Sequence, residues 1–165
     1  MKECWSPWYY YDNVKSGSKA CAATTTFFST FSIIYICYCL DGGDSSQFFL
    51  PLFETDVDTT MKGAGGFMIF FYLLYIIFAG LMVKGVMIDH RGLILPWLIQ
   101  NFLYILMVIA FALWLQASYY HYLLSVLWTL IYLLFAAAHV YMHRCVKSQY
   151  ENIKKAQAPN IVQLF

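Results

Sequence analysis

Residues Ala64–Val83 read AGGFMIFFYLLYIIFAGLMV, twenty positions without one charge. At ~1.5 Å of rise per residue, a helix of that length crosses the ~30 Å hydrocarbon core of a bilayer. A helix on the surface of a water-soluble domain keeps a polar stripe toward solvent. This stretch has none, so it predicts a transmembrane helix, and the rest of the chain is placed before and after it.

The chain of 165 residues is 61% apolar and 12% charged, against about 25% charged in ordinary soluble domains. Between Arg91 and Arg144 no Asp, Glu, Lys or Arg occurs, which leaves room for two crossings and a tight turn. The expectation is all-α: a single four-pass domain over 1–165, a four-helix transmembrane bundle with helices near 20–40, 64–83, 93–115 and 121–143. Residues 41–63 form an acidic outer loop and 144–165 a polar tail. The segment before Cys21 has no apolar core and does not read as a cleavable signal. Lysine and arginine set the orientation. Nine of the ten lie before the first crossing (Lys2, Lys15, Lys19), between the second and third (Lys84, Arg91) or in the tail (Arg144, Lys147, Lys154, Lys155), and Lys62 alone is in the outer loop. That asymmetry predicts both termini cytosolic.

Trp5, Trp8, Tyr9, Tyr10 and Tyr11 precede the first crossing, as rings at the headgroup level do. The first crossing is the most polar, with Thr24, Thr25, Thr26, Ser29, Thr30 and Ser32. Such hydroxyls are tolerated in lipid because they bond back to a carbonyl one turn earlier. With Ala20, Ala22 and Ala23 nearby, this helix is expected to pack against neighbours through small side chains.

Gln100, Asn101 and His139 are the polar groups deepest in the apolar blocks. A polar group buried in a membrane is either an interhelical hydrogen bond or a functional site. No carboxylate lies in a crossing to act as a proton carrier, and no Ser/His/Asp or metal-ligand constellation has workable spacing. The acidic loop's ETDVDTT lacks the ligand pattern of a calcium loop. No enzyme activity, catalytic residue, metal, cofactor or nucleic-acid partner is expected. Neither outer loop holds a cysteine, which excludes a disulfide-stapled outer domain of the claudin or tetraspanin kind. Cys4, Cys21 and Cys145 fall near the cytosolic face and are candidates for palmitoylation. In the tail, Tyr150-Glu151-Asn152-Ile153 matches the Tyr-x-x-apolar pattern that clathrin adaptors read as a short extended peptide, so Tyr150 and Ile153 are a candidate sorting motif.

The run Tyr11-Asp12-Asn13-Val14-Lys15-Ser16-Gly17-Ser18 leads directly into the first crossing. It resembles the lead-in motif of the lysosome-associated four-pass transmembrane family, an aromatic or Cys, then Asn/Ser, Val/Leu, Arg/Lys, Thr/Ser and Gly. Asn13, Val14, Lys15 and Gly17 carry the likeness. The motif and layout are also similar to a group of arthropod four-pass proteins that includes the Pasiflora proteins of insect septate junctions. The chain has neither the cysteines that lysosomal members place before the motif nor their Pro-Pro-x-Tyr tail, which favours the arthropod group. Gly17 is expected to serve close helix approach or an unusual backbone angle.

Three functions follow as expectations. The first is a structural or accessory membrane protein, acting by lateral association with itself or other integral membrane proteins, which the resemblance places at septate junctions of the lateral plasma membrane. The second is an endolysosomal trafficking protein that binds a clathrin adaptor through Tyr150–Ile153. The third is an accessory subunit of a transporter or channel using Gln100, Asn101 and His139.

Overall fold

The computed structural model describes residues 13–42, 62–119, 121 and 123–157. Helices are named here in chain order: α1 is Val14–Leu40, α2 Lys62–Met87, α3 Leu95–Ser118 and α4 Leu123–Ala156. A 3-10 turn, Arg91–Leu93, joins α2 to α3. All four helices are long and apolar enough to cross a membrane, and the chain is a four-pass integral membrane protein. The acidic loop, the aromatic N-terminal belt and Cys4 lie outside the described residues.

The helices form two hairpins laid side by side. α1 packs mainly on α2 and α3 on α4, while α1–α4 and α2–α3 contacts close the ring. Core positions follow the three-four spacing of packed helices. On α2 these are Tyr72, Tyr75, Ala79, Met82 and Val86, and on α3 Trp97, Asn101, Tyr104, Val108, Ala112 and Leu115. The reverse faces carry Phe67, Phe70, Leu73 and Ile77 on α2 and Ile99, Phe102 and Leu106 on α3, all exposed, as a lipid-facing surface should be.

Helix ends depart from the expected boundaries for identifiable reasons. α1 begins at Val14 rather than near residue 20, because the Asn13 side chain caps it by accepting from the Ser16 N–H at 2.7 Å. Gly17 is therefore helical and buried, and no unusual backbone angle is involved. α2 runs four residues past Val83, and α3 starts at Leu95 with Pro96 in its first turn, where a missing N–H costs little. The largest correction is α4. It does not stop near residue 143 but continues as one 34-residue helix to Ala156, about 51 Å at ~1.5 Å per residue. Beyond the expected crossing, Cys145, Val146, Gln149 and Ile153 are buried. Cys145, Val146 and Ile153 join a core that includes Val14 of α1, Val86 of α2 and Ile94. The segment 144–156 is thus part of the bundle, not a loose tail.

The α2–α3 connection ties this end together. Asp89 has a left-handed backbone, φ +52°. Its carboxylate takes Lys15 Nζ at 3.0 and 3.3 Å, and its carbonyl accepts from Gln157 Nε2 at 2.6 Å. The start of α1, the turn after α2 and the end of α4 therefore meet at one end of the bundle. Gly85 permits the close return of the chain, since a Cβ there would lie 2.8 Å from Leu93 Cβ and 3.1 Å from the His90 carbonyl.

Candidate functional site

Two of the intramembrane polar residues singled out in the sequence, Asn101 and His139, converge. Asn101, on the inner face of α3, is fully buried. Its carboxamide oxygen accepts from the Tyr75 hydroxyl of α2 and lies 3.0 Å from Nδ1 of His139 on α4. Its nitrogen donates to the His139 carbonyl at 3.3 Å and lies 3.3 Å from Nδ1 of His143. An amide oxygen only accepts and an amide nitrogen only donates. That assigns the tautomers: His139 carries its proton on Nδ1, and His143 accepts through Nδ1. Next to it, Gln100 Nε2 donates to the Phe71 carbonyl of α2 at 3.3 Å. Each amide thus fastens α3 to a neighbour.

The centre reaches α1 through Tyr75, whose hydroxyl is within hydrogen-bonding reach of Thr25. Thr25 Oγ1 in turn donates to the Cys21 carbonyl one turn back, at 2.8 Å. Tyr75, Asn101, His139 and Thr25 come from four different helices, so one buried cluster joins them all. Aromatic rings wall it. Tyr104 and Phe135 each stand with ring centroids 4.7 Å from His139. His139 Nε2 is buried with no hydrogen-bond partner, enclosed by that apolar wall. No carboxylate belongs to the cluster, and among the described residues no group of three His, Cys, Asp or Glu could hold a metal ion. The arrangement fixes geometry; it offers no paired acid and base and no strong nucleophile.

Two further polar layers flank it. Toward the acidic-loop end, Tyr72 is within hydrogen-bonding reach of Ser32 and Tyr104. Toward the Asp89 end, Cys145 of α4 lies in reach of the Cys21 thiol and the Ser18 hydroxyl of α1. Cys21 and Cys145 are both fully buried. Both are candidates for palmitoylation by position, but acyl transfer needs a thiol at the surface of the helix, and these two face each other inside the α1–α4 contact.

The lead-in motif is structural at each position described. Asn13 caps α1, Val14 packs on the core, Lys15 pairs with Asp89, and Gly17 is buried. The candidate sorting motif is helical, with Tyr150 half-buried and Ile153 in the core. An adaptor that takes an extended peptide would first have to unwind this turn and expose Ile153.

Sequence reading missed Tyr75 and the Cys21–Cys145 pair. Tyrosine counts as apolar in a hydropathy run, and only the three-four spacing of Tyr72, Tyr75, Ala79 and Met82 marks its inward face. Comparison of the chain with protein-family models, curated proteins and solved structures gives no match.

Proposed function

We propose that the chain is a non-enzymatic structural or accessory membrane protein, working by lateral association of a rigid bundle with other integral membrane proteins or with further copies of itself. The observation that carries this reading is the Asn101 centre. Its amide uses both its donor and acceptor capacity inside the chain, joining α2, α3 and α4 in a cluster that also reaches α1. Such a cluster supports a scaffold better than a site that must open to a solute. The lysine- and arginine-rich end, with both chain termini, faces the cytosol, as the distribution of positive charge favours. The resemblance of Asn13–Gly17 to the lead-in motif of arthropod four-pass proteins favours septate-junction assembly as the setting.

The test is the endogenously tagged protein in a polarised arthropod epithelium, imaged beside a septate-junction marker and a lysosomal marker, with a paracellular tracer applied after its loss. A lateral belt at the junction and a leak of tracer are expected. A tight epithelium, with the protein confined to lysosomal puncta, would overturn the junction role.

A further inference from the structure

The outward face of α2 is bulky along most of its length. Phe70, Leu73 and Ile77 project into the lipid region one after another at helical spacing, and all are exposed. At the next position the stripe stops, because residue 80 is glycine. A Cβ built there meets nothing within 4 Å, so the missing side chain makes no room for another part of this chain. On the facing helix the same thing happens at Ala23, which is exposed. Between the two lies a shallow groove of about 550 Å³, open along one side. Its lining includes the buried Ala22 and Ala79, with Thr26, Phe27 and Val83 beside them.

Charge completes the pattern. Lys19 stands at the mouth of the groove, one helical turn before Ala23. Lys84 stands one turn after Gly80. α1 and α2 run antiparallel, so both helices repeat one order from the surface inward: a cation, then a small residue. Both lysines are exposed, and among the described residues the ion pair is Lys15–Asp89, leaving Lys19 and Lys84 without a carboxylate.

We infer that this groove is a binding site for one anionic phospholipid, with its phosphate between Lys19 and Lys84 and one acyl chain in the slot over Ala22, Ala79 and Gly80. A lysine at the headgroup level attracts anionic lipid, and an apolar slot directly beneath it gives the attached chain a place that a flat helix face does not. A neutral, zwitterionic lipid would fit the slot but gain less at the lysines. The inference depends on the membrane-spanning fold alone and stands whichever role the protein has.

The experiment uses the full chain, purified and reconstituted into phosphatidylcholine vesicles that contain a trace of phosphatidylglycerol with a photoreactive group on its acyl chain. A matched phosphatidylcholine probe is run in parallel, and crosslinked peptides are mapped. The phosphatidylglycerol probe should label residues 19–27 and 79–84 several-fold more than the phosphatidylcholine probe, and the excess should shrink as salt is raised. The double change Lys19→Gln and Lys84→Gln should bring the two probes level while chain labelling persists. Gly80→Leu, which the open space tolerates, should remove labelling of the slot by both. Circular dichroism checks that each variant keeps its helices. Equal labelling by the two probes would show annular lipid only and overturn the site. Labelling unchanged by Gly80→Leu would do the same.

Discussion

The bundle has two polar centres, and they are built from similar parts in opposite surroundings. Asn101, itself fully buried, gathers the buried Tyr75 and His139 and the partly buried His143 inside the bundle. Asp89 gathers Lys15 and Gln157 at the end of the bundle, where its side chain and that of Lys15 are exposed. Each ties together three helices. The difference is what replaces the bonds when they break. Around Asp89 water takes over at once, so an exposed ion pair is worth at most about 1 kcal/mol. Around Asn101 nothing takes over, and a group left without a partner bears the full cost of its burial, about 1–3 kcal/mol. Distance and count of bonds look alike at the two centres; the surroundings decide their weight.

The strongest way to test that contrast is Asn101→Leu. The change removes four polar contacts, strips the buried His139 ring of its partner and leaves the Tyr75 hydroxyl with only its reach to Thr25. A loss of about 2–4 kcal/mol is expected, read as the shift in the unfolding midpoint of the purified protein in mixed detergent micelles. A loss below about 1 kcal/mol would mean that water reaches the centre, and the contrast with Asp89 would collapse.

Next comes Ile153→Ala. In the helical extension this side chain is only 4% exposed, so truncation should cost about 2 kcal/mol, the low end for a core aliphatic because a terminal turn can relax. The neighbouring Lys154→Ala, on the exposed face, should change little. Equal and negligible effects would return residues 144–156 to the status of a loose tail and restore Tyr150–Ile153 as a peptide free to be read by an adaptor.

That outcome bears on what the sequence makes legible. The crossings of α2 and α3 are plain in the charge-free runs, because length and apolarity alone decide them. Their ends are less plain, because hydropathy marks where lipid stops and not where the helix stops. On α4 the core spacing His139, Met142, Val146, Gln149 and Ile153 runs straight through Arg144 and Lys147, and a reading by charge ends the helix too soon. Asn101 and His139 declare themselves as polar residues in an apolar block. Their partner Tyr75 does not, since a tyrosine in a membrane helix is as often an apolar ring as a hydroxyl donor. The meeting of Cys21 with Cys145 is invisible at any spacing, because it depends on α1 lying against α4.

Tyr75→Phe refines the centre without emptying it. It removes one donor to Asn101 and keeps the ring that packs near Trp97 and Tyr104. His139 Nδ1 still serves the amide oxygen, so a loss of about 1 kcal/mol is expected, well short of that for Asn101→Leu. An effect as large as that of Asn101→Leu would place the weight of the centre on Tyr75 and its reach to Thr25 rather than on the amide.

The smallest effects belong to Asp89, and there two terms oppose each other. The residue holds Lys15, but it does so from a left-handed backbone, φ +52°, which glycine adopts freely and alanine does not. Asp89→Ala loses the ion pair and sharpens the backbone strain, so it should destabilise by about 1 kcal/mol. Asp89→Gly loses the same ion pair but relieves the strain, and it should lie within about 0.5 kcal/mol of the parent chain. Salt separates the terms. At high ionic strength the ion pair fades in the parent, so Asp89→Gly should match or exceed it, while Asp89→Ala remains weaker by the conformational term alone. If both variants instead fell equally, by more than about 1 kcal/mol and without dependence on salt, the Asp89 carboxylate would be acting as a buried group. The end of the bundle would then resemble its centre.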